Sequence, residues 1–339
     1  MRILIRPRLP VLALLLLAPA IPELLTGSTP VSELAYDPLG FLLVSFPLDI
    51  LLYGFGALLI REFAVVYHKG WASILLLGAA YGIAEEGFEV HTFFQPSGAP
   101  VGALAQYGHL FGVNWLWALA LTVFHATYSI ALPILLTNLW FPAAKGVRWF
   151  DRGALGLMAT VYLLEVVGFG FLVGHGPSPP VLGFFVGVVA LLIAIAWRAP
   201  QYVLAARPGP RSIGRNSLVL LGTGGFAAYV VVLFFSSTWV VPAVAAAVFL
   251  VLADGGILLV IQRSVGAVDL ERSEFYFAVG MLSALFAWDV VIEFIGVPGI
   301  LGVTAIFIYL LIRLDRTLTA RSQIPSIPLG AVRPPLSGG

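Results

Sequence analysis

Three glutamates, Glu85, Glu86 and Glu89, fall within five residues of an otherwise apolar stretch that ends Gly87-Phe88-Glu89-Val90-His91. Helix positions three and four apart share a side, so Glu89 lies on the same flank as both adjacent acids. Two neighbouring carboxylates do not ionise together cheaply, which sets one proton acceptor beside one proton donor. The next apolar stretch holds one group that titrates near neutrality, His125, in Leu121-Thr122-Val123-Phe124-His125-Ala126-Thr127-Tyr128-Ser129. At 1.5 Å per residue, Glu86 lies roughly 12 Å from the outer end of its helix and His125 roughly 16 Å from the start of its own. One connection joins the two segments, so they run antiparallel and bring these groups to one depth. Glutamates and a histidine at one level could hold a water or a metal ion and activate it for attack. Glu85, Glu86 and His125 are therefore the catalytic candidates. Glu89, His91, Ser129, Asp289 and Glu293 are candidates for lining the same cavity. The residues specify neither a metal-ligand set nor a cofactor.

The elements that must position these groups follow from composition. The chain has 339 residues, 60% hydrophobic and 10% charged, with a mean hydropathy of +1.00. Soluble domains carry about 45–50% apolar and about 25% charged residues, so this chain has too few charges to cover a water-exposed surface. Its net charge of +1 gives no basic surface for nucleic acid, and it contains no cysteine, which excludes disulfides and thiolate metal sites. The expectation is an all-α, polytopic transmembrane bundle whose surroundings are the lipid bilayer, with the plasma membrane as its location.

Ten apolar segments stand out, at 9–27, 39–60, 71–94, 114–141, 153–173, 180–197, 216–235, 239–262, 274–295 and 298–312. A span needs roughly 20 apolar residues, and its backbone groups must be satisfied internally, which selects helices. Period-2 alternation of polar residues, the mark of a membrane β-barrel, is absent from these runs. All 18 lysines and arginines fall at the N-terminus, in alternate connections or in the tail. The charged connections carry Arg61 and Lys69, then Lys145, Arg148 and Arg152, then Arg198 to Arg215, then Arg263 and Arg272. By the positive-inside rule, both termini and these connections are cytoplasmic. Residues 1–320 then form one transmembrane domain and 321–339 a flexible cytoplasmic tail. Arg2, Arg6 and Arg8 ahead of a Leu-rich run and Ala18-Pro19-Ala20 also fit a cleavable leader, whose removal would leave nine spans. The long outer connection from Gln95 to Val113 leads into Trp115 and Trp117, residues suited to a membrane interface.

Asp49, Glu85, Glu86, Glu89, Glu165, Asp254, Asp289 and Glu293 all lie inside apolar segments. No lysine or arginine sits deep in a span to pair with them. A carboxyl group in lipid needs a proton, a metal ion, a hydrated cavity or a protonated histidine, which makes such acids functional candidates. Each one singly can also serve only to hydrogen-bond a neighbouring helix. His91 and His109 flank the outer mouth of the Glu/His level.

The paired glutamates followed by a histidine on the next span resemble the CPBP (CAAX-protease-like) intramembrane proteases. The resemblance implies that Glu85 or Glu86 activates water and that His125 holds it or the developing oxyanion. Val90 stands where that family has an arginine, Leu121 stands where it has a phenylalanine, and no later span contains a histidine. The wider pattern also resembles bacterial and archaeal membrane proteins without an assigned activity. It comprises the stretch from Glu23 to Pro30, Tyr53-Gly54, Arg61-Glu62 and Glu85-Glu86-Gly87.

Two functions and one structural role fit these features. One function is an intramembrane hydrolase acting on a membrane-embedded peptide or a lipid-linked substrate. The other is a proton-coupled secondary transporter. Ten spans divide as five plus five, and Ala253-Asp254-Gly255-Gly256 on the eighth segment matches Ala84-Glu85-Glu86-Gly87 on the third. Glu85 and Asp254 would then carry the coupling protons. The structural role is that of an assembly subunit whose acids only bind other helices.

Overall fold

The computed structural model describes residues 8–94, 107–174, 176–205, 213–264 and 270–323. Long helices dominate it: α1 (8–24), α2 (Pro38–Val66), α3 (71–89), α4 (Trp115–Trp140), α5 (Arg152–Val173), α6 (Pro179–Arg198), α7 (Arg215–Phe235), α8 (Ala243–Ser264), α9 (Leu270–Ile295) and α10 (Ile300–Ser322). Seven of them, α2 and α4 to α9, are long and apolar enough to cross a membrane. The other three are the short α1, the acid-bearing α3, and α10, which carries Arg313, Asp315, Arg316 and Arg321. The protein is an all-α helical membrane protein, as its composition requires.

Helix α4 is the hub, with 72% of its most apolar stretch buried against 11% for α6 and α8. Its residues enter three apolar clusters. Phe124, Leu132 and Leu139 meet α7, α9 and α10; Ile130 and Ile134 meet α1, α2, α3 and α5; Leu116 and Ala120 meet α6, α7 and α8. The outer helices expose leucine, valine and phenylalanine side chains such as Phe171, Leu191 and Leu252. That surface is stable in hydrocarbon and untenable in water.

Several sequence expectations move. Helix α2 continues past residue 60 to Val66, which places Arg61 inside a helix and not in a connection. Arg61 is 2% exposed, pairs with Glu62 and stacks over Trp149 at 3.6 Å. Its guanidinium also donates to the carbonyls of Ala144 and Lys145, while Glu62 accepts from the Trp149 and Phe150 amides. This buried pair locks the end of α2 to the α4–α5 connection, which is how a charge is tolerated there. Helix α10 runs on to Ser322, and Arg321 bonds the carbonyls of Leu139 and Trp140 at the end of α4, so the chain is anchored there. Residues 324–339 of the expected tail lie outside the described residues, as do 95–106 of the outer connection. The rest of that connection forms a small antiparallel pair, β1 (His109–Leu110) with β2 (Val113–Asn114), which hydropathy did not indicate. Trp117 is buried within the bundle, whereas Trp115 is exposed.

Candidate functional site

Helix α3 packs on α4 because two glycines face it. A Cβ on Gly78 would sit 2.8 Å from the Ala126 Cα, and one on Gly82 would sit 2.8 Å from the His125 Cβ. Only hydrogen fits at these positions, and the close approach puts the imidazole beside the next turn of α3. Both helices widen where the site residues sit, over Ala84–Glu89 and His125–Ala131, so that the Val90 amide bonds the Glu85 carbonyl five residues back at 2.9 Å. Such widened turns re-aim side chains and recur at functional sites.

The result is a convergent trio. His125 Nε2 lies 3.0 Å from Glu86 Oε1, and His125 Nδ1 lies 3.1 Å from Glu85 Oε2 and 2.9 Å from Ser129 Oγ. Each ring nitrogen therefore faces one carboxyl group of the Glu-Glu pair. His125 is 3% exposed, Glu85 4% and Glu86 8%, so bulk water does not bathe them. The rings of Tyr53 and Tyr81 flank the imidazole, each with its centroid 6.1 Å away. One ligand atom from each of Glu85, Glu86 and His125 lies within 4.8 Å of the others. Modest rotation would let them converge on a divalent cation, whose bonds to such ligands run about 2.0–2.2 Å.

Two further groups complete the cluster. The Tyr53 hydroxyl contacts Glu23 Oε1 at 2.5 Å and also bonds Glu85. A phenol has one proton to donate, so one of these two carboxyl groups must supply the other hydrogen. Glu23 accepts in turn from Thr29 at 3.0 Å. Thr92 donates to Glu86 and accepts from the Trp117 indole at 3.2 Å. Sequence reasoning named Glu23 only within the wider resemblance and gave it no place in the site, although it is an acid inside the first apolar segment. It likewise named Tyr53 only in that pattern and did not single out Thr92 for the site, since neither residue type carries a signal on its own.

The remaining candidates disperse. Glu89 is buried but faces Glu165 of α5 and not His125. His91 turns away on a positive-φ residue (φ 58°) and its Nδ1 bonds the Gly174 carbonyl at 2.9 Å. Asp289 accepts from Thr304 at 2.5 Å, and Glu293 accepts from the Gly299 and Leu301 amides at 3.0 Å. Both join α9 to α10, and neither contacts the trio. Asp254 lies on the far side of α4, within reach of Tyr128. His109 lies in β1, and His175 is outside the described residues.

Helices of this length and apolarity, folded around a buried Glu-Glu-His group, define a multi-pass integral membrane protein with a polar centre. The chain belongs to an uncharacterized membrane protein family, whose model matches residues 12–323. No curated protein and no solved structure matches it. No comparison links it to the CPBP proteases, so that resemblance stands on residues 85, 86 and 125.

Proposed function

We propose that the Glu85–Glu86–His125 group is the water-activating centre of an intramembrane hydrolase. The observation that carries this reading is the placement of one carboxyl group at 3.0–3.1 Å from each nitrogen of a single buried imidazole. Glu86, the more exposed of the pair, takes a proton from a water held beside it, and the oxygen adds to a substrate carbonyl carbon. Once protonated, Glu86 no longer accepts from His125 Nε2, whose N–H turns to the oxygen that has become negative. The glutamate pair then returns a proton to the leaving amine or alcohol as the C–N or C–O bond breaks. Glu85, held by Tyr53, keeps His125 oriented from the other side. A peptide bond within the bilayer is the preferred substrate, and a lipid-linked ester is the other.

On this reading the ten helices cross the plasma membrane, with both termini and the Lys/Arg-bearing connections in the cytoplasm. The test is cleavage of fluorogenic membrane-embedded peptides by the full chain in liposomes. Glu86→Gln and His125→Gln should each lower the rate by about 10²–10⁴-fold with the fold intact. Turnover unaffected by either change would overturn the proposal.

One observation favours proton-coupled transport instead. The links Thr29–Glu23–Tyr53–Glu85 form a hydrogen-bonded chain from the α1–α2 connection that ends with Glu85 Oε2 3.1 Å from the buried imidazole. A chain of this kind can pass a proton. Proton flux into liposomes that Tyr53→Phe abolishes, without peptide cleavage, would select this reading.

A further inference from the structure

On the opposite side of α4 from His125 lies a cavity of about 1080 Å³, bounded by α3, α4, α7, α8 and α9. Its walls are mostly aliphatic and aromatic, and it opens towards the ends that carry His68, Lys69 and Lys145. Cations and acids face one another at that mouth, where Glu274 also keeps a buried Oε2 without a hydrogen-bond partner. Arg61 pairs with Glu62, the Lys69 ammonium bonds the Trp197 and Ala199 carbonyls, and Lys145 interacts with Glu274. Deeper in, Asp254 projects from α8 with Oδ2 buried and without a hydrogen-bond partner. Among the described residues no cation faces it. Asp254 lies eight residues from Gln262 at the mouth, roughly 12 Å along the helix. Tyr128 and Tyr229 line the same depth.

We propose that this cavity binds a lipophilic cation, an amine or quaternary ammonium with a bulky apolar body, through Asp254. An unmatched carboxyl group is costly in an apolar wall, and a ligand that brings the missing positive charge removes that cost. The aliphatic lining suits the ligand's body, and phenol rings favour a cationic centre beside them. Small molecules of this size class fit the volume, since ligand pockets run about 300–1,000 Å³. An anionic lipid could enter tail first from the same mouth, but its uncharged tail would leave Asp254 without a partner. The proposal is independent of the hydrolase reading, because none of Glu85, Glu86 and His125 lines the cavity.

The test is equilibrium binding of tetraphenylphosphonium to the purified full chain in nanodiscs, with tetraphenylborate as the probe of equal shape and opposite charge. Saturable binding of the phosphonium alone is expected, weakened about tenfold or more by Asp254→Asn. Ile257→Trp, which keeps the acid and fills the cavity beside Gly225, should weaken it as well. Glu86→Gln should bind as the unaltered chain does. If Asp254→Asn does not fold, Ile257→Trp and the phosphonium–borate comparison decide the matter. Equal binding by Asp254→Asn, preference for the borate, or non-saturable partitioning alone would each overturn the proposal.

Discussion

Ala84-Glu85-Glu86-Gly87 on α3 and Ala253-Asp254-Gly255-Gly256 on α8 read alike as sequence, yet the bundle gives them opposite surroundings. On α3 the acids meet an imidazole, a phenol and a hydroxyl, and the neighbouring Gly82 is pressed against α4. On α8 the acid stands alone at the edge of a cavity, and a Cβ on Gly255 or Gly256 would meet nothing within 4 Å. Acid beside glycine is therefore not one device. It becomes a packed polar centre only where a partner helix brings the complementary groups into reach. Elsewhere it leaves a charge that awaits a ligand.

The sharpest way to break this contrast is to add a methyl group on each helix. Gly82→Ala should destabilise the protein by about 3 kcal/mol, because the His125 Cβ cannot retreat without moving α4. Gly256→Ala should be neutral or stabilising by up to about 1 kcal/mol, as helix propensity gains and nothing clashes. Unfolding transitions in micelles measure both, and equal losses at the two sites would erase the distinction. Next in size is Tyr53→Phe, which strands two carboxyl groups and should cost about 2 kcal/mol. Asp254→Asn removes no partner and should stay within about 0.5 kcal/mol in the same assay. Thr304→Val should cost about 1 kcal/mol from the lost bond to Asp289. It should leave hydrolysis and phosphonium binding unchanged, since the α9–α10 acids belong to neither site.

The sequence made part of this legible for a physical reason. Helical spacing groups Glu85, Glu86 and Glu89, and antiparallel neighbours share depth, so the meeting of the pair with His125 follows from local rules. Which side Glu89 finally takes does not, because the widened turn at Ala84–Glu89 rotates it away towards Glu165. Glu293 misled for another reason. It reads as an intramembrane acid, but its carboxylate serves the free amides at the start of α10, a job signalled by Gly299 and the nearby helix start. Arg61 and Trp117 look like boundary markers in hydropathy, and only tertiary partners reveal that each is buried. Tyr53 and Glu23 join the site from α2 and α1 through contacts 30 and 32 residues apart in the chain, which no periodicity encodes.

The widened turns on α3 and α4 have one more consequence. Each is equivalent to inserting a single residue into a regular helix, which advances everything beyond it by about 100°. The inward-facing stripe before such a turn is thus out of phase with the stripe after it. Helix α3 ends within its own turn, so only on α4 do two halves result, and the stretches before and after His125–Ala131 can pack against different neighbours. Substitutions that repack one half need not rotate the other, so the chemistry at Glu86 and His125 is insulated from drift in the scaffold that carries it.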